Sequence, residues 1–191
     1  MSNVNDLWNT WFGLDKMGQQ LAKFTLDCCN IYQPKHISFI GHSLGGLMIR
    51  NCIGYLEKES FFDKMKPIFY ISIATPHLGI FSISDFKHFL AKYLLNLTGK
   101  ELLMQDNNKM LLKMSQADTY YYIGLQKFKK IIAYGNIEND TLVCLDSTCI
   151  TYPMGSENNT CEQLIVIEPN NFNDLLLIHQ IFSQEIVSDS N

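Results

Sequence analysis

The chain has 191 residues, 47% of them hydrophobic and 18% charged, which is enough apolar material for a core and too little charge for a disordered segment. Fifteen Lys and Arg against nineteen Asp and Glu leave a net charge of −4, so no basic footprint marks it for nucleic acid or for an anionic membrane surface. It contains no apolar run of the roughly 18 residues that a transmembrane helix needs, and the opening MSNVNDLWNTWFGLD lacks the basic start and apolar stretch of a conventional signal peptide.

Leu14, Met17, Leu21, Phe24 and Cys28 recur at helical spacing, which predicts an amphipathic helix from 14 to about 29 with one core-facing stripe. Pro34 breaks it. His36 to Ile40 then reads as a short buried strand, and Leu44 to about Glu57 as a helix. Three more strand-like runs follow: Ile68 to Ile73, Lys130 to Tyr134 and Leu164 to Ile167. They are short, rich in β-branched and aromatic residues and nearly continuous in apolar character, as strands of a parallel sheet covered on both faces must be. Strands alternating with helical stretches imply right-handed crossovers and an α/β architecture, a mostly parallel sheet with helices on both faces. One domain over 1–191 is expected. Between the second and third strands, Phe86, Phe89, Leu90, Tyr93, Leu94 and Leu97 form an apolar stripe, read either as core packing or as part of a cap over the site spanning 80–117.

The six cysteines (28, 29, 52, 144, 149 and 161) follow no CxxC spacing, and the five histidines (36, 42, 77, 88 and 179) do not join them at zinc-ligand intervals. The expectation is a cytoplasmic protein with reduced thiols and with no metal or cofactor.

Gly41-His42-Ser43-Leu44-Gly45 stands directly after a hydrophobic strand and directly before a helix. This is the nucleophile-elbow context, in which a serine on a sharp turn projects its hydroxyl above the sheet edge. The glycines let strand and helix approach closely, and the Leu44 N–H at the helix start is placed as an oxyanion donor. No lysine follows, as it would in a phosphate-binding loop.

A serine needs a base held by a third group, and in this architecture the chain order is Ser, then Asp or Glu, then His. Asp140 lies just beyond the third strand, with Glu138 and Asp146 as alternatives for the acid. His179 is the one histidine downstream, although its apolar surroundings also suit a core-facing histidine. His42 and His77 lie near the expected pocket. His77 equally reads as a hydrogen-bonded histidine in a turn fixed by Pro76 and Gly79.

From about Leu14 to Val187 the chain resembles the lipase-like serine esterase family of α/β-hydrolases, long catalogued as a domain of unknown function. Four stretches carry the resemblance: FIGHSLGGLMIR, IATPHLG, YGNIENDTLVCLDS and IHQIFSQEI. It implies Ser43 as nucleophile, Asp140 as acid and His179 as general base, acting on a small-molecule or lipid ester, with transient contact with a membrane surface. Cys144 departs from the family's usual proline. The family's upstream strand, ending in His-Gly and supplying a second oxyanion N–H, has no counterpart before Leu14, so an incomplete domain, feeble on its own, is expected. A hydrolase fold without activity, serving as a scaffold or interaction module, is the alternative reading, and a thioesterase or acyltransferase would share the triad.

Overall fold

The computed structural model describes residues 13–80, 97–135, 143, 147–148 and 165–167. Helix α1 (Leu14–Tyr32) leads into strand β1 (His36–His42), helix α2 (Leu44–Lys58), a 3-10 turn (Phe61–Asp63) and strand β2 (Lys66–Ile73). Three short helices follow, α3 (Leu97–Leu102), α4 (Met110–Ser115) and α5 (Tyr120–Gln126), then strands β3 (Lys130–Tyr134) and β4 (Ile165–Ile167). The helical spacing that starts at Leu14 does make a helix, which ends at Gln33 in a left-handed conformation (φ 46°) just before Pro34.

The four strands form one sheet in sequence order. β1, β2 and β3 run parallel, with His42, Ile73 and Tyr134 in one row at their carboxyl ends. β4 runs antiparallel to β3, pairing Ile165 with Ala133 and Ile167 with Ile131. A run of three residues carries no signal of direction, so the parallel reading could not extend to it from its apolar character.

Helix α2 is the centre of packing. Its Ile49, Cys52, Ile53 and Leu56 meet Tyr70, Ile131, Phe62, Phe128, Tyr122 and Leu125 in one buried cluster. Phe128 stacks edge-on against Phe62 (ring centroids 5.6 Å apart) and Tyr70 (6.4 Å). A second cluster joins Leu14 and Met17 of α1 to Leu47, Leu102, Met110, Leu111 and Met114, so the described part of the 80–117 stretch packs against α1 and α2. Residues 81–96, with most of the apolar stripe read there, lie outside the described residues.

Two sequence expectations are corrected. β1 is not buried on both faces: Ile37 and Phe39 pack against the core, whereas Ile40 is 67% exposed and His36, Ser38 and His42 are exposed with it. The described helices cover that one face, and β1 pairs with β2 alone among the described residues. Nor is the α1 stripe core-facing throughout. Leu14 and Met17 are buried, but Phe24 at the same angular position is 37% exposed, because α3 and α4 cover only the first turns of α1. Gly18, Ala22 and Thr25 are the buried positions further along.

Candidate active site

The elbow is built by a strand that stops one residue before a helix starts. Ser43, between β1 and α2, has φ 53° and ψ −128°, a conformation that costs a residue with a side chain about 1–3 kcal/mol. Its surroundings over-determine it. The Ser43 N–H donates to the Ile73 carbonyl at 2.8 Å, and the Ser43 carbonyl accepts from the Gly46 N–H at 3.1 Å and from the Thr75 hydroxyl at 2.9 Å. Both of its backbone groups are therefore tied down, and the turn cannot relax without breaking three hydrogen bonds. The glycines are required by close approach: a Cβ on Gly41 would lie 2.6 Å from the Gly46 nitrogen, and one on Gly46 would run into the Thr75 hydroxyl.

No side chain caps the start of α2. The Leu44 and Gly45 N–H groups have no partner among the described residues, so the helix opens with bare donors and the positive end of its dipole beside Ser43. That suits an oxyanion forming on an acyl group attached to Ser43.

The second wall is the turn after β2. Ala74 adopts φ 47°, and its N–H donates to the Tyr134 carbonyl at 2.8 Å, which joins the ends of β2 and β3. Beyond Thr75 and Pro76, His77 turns inward and is 3% exposed. One ring nitrogen, Nε2, lies 2.8 Å from the Ser72 hydroxyl and the other, Nδ1, 3.2 Å from Nη1 of Arg50. The Arg50 Nη2 donates to the Met114 carbonyl at 3.2 Å. Burial, and then the nearby Arg50 charge, hold the His77 pKa well below its ordinary value. His77 is thus an interior residue that joins the turn to β2 and α2. His42, by contrast, is exposed on the face of the sheet away from α2.

Asp140, Glu138, Asp146 and His179 lie outside the described residues. Tyr134 ends β3 at the same end of the sheet as Ser43, two strands away, and Asp140 follows six residues later in the chain. β4 instead leaves Ile167 beside Ile131, toward the amino-terminal ends of the parallel strands. Sequence reasoning assigned no role to Thr75, Arg50 or Ser72, although Thr75 and Arg50 both lie inside quoted motif stretches. Among the described residues no group of three or more His, Cys, Asp or Glu side chains could hold a metal ion, and no helix is long and apolar enough to cross a membrane.

Comparison with known proteins bears on this geometry. The family model described as "Putative serine esterase (DUF676)" matches residues 1–156, which takes in Ser43, Thr75 and Asp140 and stops before His179. The chain is similar to the "Putative lipase YDL109C" of Saccharomyces cerevisiae, at 35% identity over 73% of this chain and 23% of that protein. It is also similar to the "Putative lipase ROG1" of the same yeast, at 30% identity over 83% of this chain and 24% of that protein. To the "Putative lipase C4A8.10" of Schizosaccharomyces pombe it is 28% identical, over 69% of this chain and 19% of that protein. The chain thus spans about a quarter or less of the length of these relatives. No solved structure matches it. A serine held at positive φ between a parallel strand and an uncapped helix, together with the match across most of the sequence, places this chain in the DUF676 family of serine esterases.

Proposed function

We propose that the chain carries the catalytic core of a serine-dependent carboxylic ester hydrolase acting on lipid or other acyl esters. The observation that carries this reading is the elbow: Ser43 at φ 53°, with both backbone groups bonded, at the mouth of a helix with free N–H donors. In this mechanism the Ser43 hydroxyl attacks the ester carbonyl. The His179 imidazole takes its proton and returns it to the leaving alcohol, and Asp140 holds the imidazole tautomer. The Leu44 N–H stabilises the oxyanion, and water then hydrolyses the acyl-enzyme. Ester substrates are also what the word "lipase" in the relatives' names suggests.

Chain reach is compatible with this assignment. Crossing from the end of β4 back to Ser43 means passing three strands sideways at about 4.8 Å each and about five residues along the sheet, roughly 20–25 Å. The dozen or so residues from Ile167 to His179 span about 40 Å when extended but only about 18 Å as one helix.

An oxyanion N–H supplied from outside helix α2, as the family resemblance expects of an upstream strand, is not found among the described residues, and one such donor is worth about 100- to 1000-fold in kcat. Slow but Ser43-dependent hydrolysis of a p-nitrophenyl ester is expected from this chain. Ser43→Ala and His179→Ala should abolish it. Asp140→Asn should reduce it strongly, whereas Glu138→Gln and Asp146→Asn should not. Turnover unchanged by Ser43→Ala would favour the reading as an inactive hydrolase-fold scaffold.

A further inference from the structure

Arg50 is 4% exposed, and no carboxylate among the described residues pairs with it. A buried guanidinium without a counter-ion is costly, so what it does contact is informative. Among the described residues it makes two contacts, with the Met114 carbonyl and with Nδ1 of His77. A guanidinium has donors only, so Nδ1 must accept. A neutral imidazole that accepts at Nδ1 carries its proton on Nε2, and Nε2 lies 2.8 Å from the Ser72 hydroxyl, which accepts it. A doubly protonated ring would set N–H against N–H at Arg50. Among the described residues the other titratable group facing this ring is the buried Tyr70, its ring 6.4 Å away, which also donates through its hydroxyl to the Gly46 carbonyl at 3.0 Å.

His77 stands two residues after Thr75, whose hydroxyl bonds to the Ser43 carbonyl. The turn is also held from outside: the Ser147 carbonyl accepts from the His77 N–H at 3.1 Å, and the Ser147 hydroxyl accepts from the Leu78 N–H at 3.1 Å. We infer that Arg50, His77 and Ser72 form a positioning relay in which Arg50 locks His77 as the neutral Nε2–H tautomer, and the locked ring holds Thr75 against the carbonyl of the nucleophile. The inference rests on the proposed role of Ser43. None of the three touches substrate. Their effect is to keep the elbow's shape unchanged over the pH range in which a catalytic imidazole must gain and lose its proton.

Two measurements on the 191-residue chain test this. Nitrogen-15 NMR of the histidine rings reads the tautomer without any need for activity. The expected result is a His77 ring protonated at Nε2 alone from pH 8 down to pH 5, and a mixture of tautomers in Arg50→Met. A ring protonated at Nδ1, or one titrating near pH 6.5, would overturn the inference even if the variant failed to fold. The second measurement is the rate of fluorophosphonate labelling at Ser43. Thr75→Val should label about tenfold more slowly, and Thr75→Ser, which keeps the hydroxyl, should return to within about threefold of the wild type. Equal slowing by both would contradict the clamp. A wild type that showed the expected tautomer but no labelling would sink the hydrolase reading and the relay's purpose, while leaving the lock itself demonstrated.

Discussion

The two sides of helix α1 and the sheet have been built to different standards. On the side of the elbow, polar groups are buried and paired: Arg50, Ser72, Thr75 and His77 are each less than 5% exposed, and the hydrogen bonds among them link β2, α2, α4 and the turn after β2. On the side of β1 and the last turns of α1, large apolar groups stand in the open, with Ile31 72%, Tyr32 77% and Ile40 67% exposed. Hydrophobic burial alone would favour the reverse arrangement. Polar groups in a low-dielectric interior add little net stability, but once satisfied they fix one geometry, and leaving one unsatisfied is costly. The contrast teaches that sequence variation should be tolerated along the β1–α1 flank and punished around Ser43.

Apart from the proposed triad itself, the largest effect is expected at Gly41. Gly41→Ala places a methyl against the Gly46 backbone, which cannot move without shifting the elbow. Labelling of Ser43 should slow about 100-fold, read from the rate at saturating probe. Arg50→Met comes next. It leaves Nδ1 of His77 and the Met114 carbonyl without their donor, and stability should fall by about 2–3 kcal/mol, seen as a lower urea midpoint at unchanged m-value.

Titration sharpens the comparison on the polar side. Glu101 of α3 caps α1 from 87 residues away, accepting the Leu14 N–H at 2.7 Å. Burial raises its pKa to about 7, with Asp106 and Asp15 adding and the Leu14 N–H opposing. Because the folded value lies above the unfolded one, this group's contribution is fully present below about pH 4.5 and is lost as pH rises through about 7. Glu101→Gln should therefore raise the thermal midpoint at pH 8 by about 2–4 °C and leave it nearly unchanged at pH 5. His77 has the opposite sign: its folded pKa is depressed, so stability falls as pH drops below about 6.5. The smallest effect is expected on the open flank. Ile31→Ser and Tyr32→Ser should each change stability by no more than about 0.5 kcal/mol, measured by the same urea titration.

Much of this was legible in the sequence, for identifiable reasons. Apolar runs at Ile68 to Ile73 and Lys130 to Tyr134 became β2 and β3 because a sheet interior admits little else, and Gly41 flagged a close approach of strand and helix; Gly45, read the same way, has open space where a Cβ would stand, and it is Gly46 that lies against Thr75. What could not be read depends on partners distant in the chain. The direction of β4 is set by pairing with β3 and not by its own three residues. Phe24 and Cys28 share the spacing of Leu14 and Met17, but burial depends on how far α3 and α4 reach along α1. Arg50 drew no reading from the sequence, because its role depends on Met114 and His77, which only the fold brings to it.

The central claim is that Ser43 is an activated nucleophile, and covalent labelling with a fluorophosphonate, followed by mass mapping of the modified peptide, tests it most directly. The account predicts one adduct on Ser43 in the wild-type chain, none in Ser43→Ala, and labelling slowed by orders of magnitude in His179→Ala. A folded chain that takes up no probe at Ser43, or that labels equally when residue 43 is alanine, would contradict it.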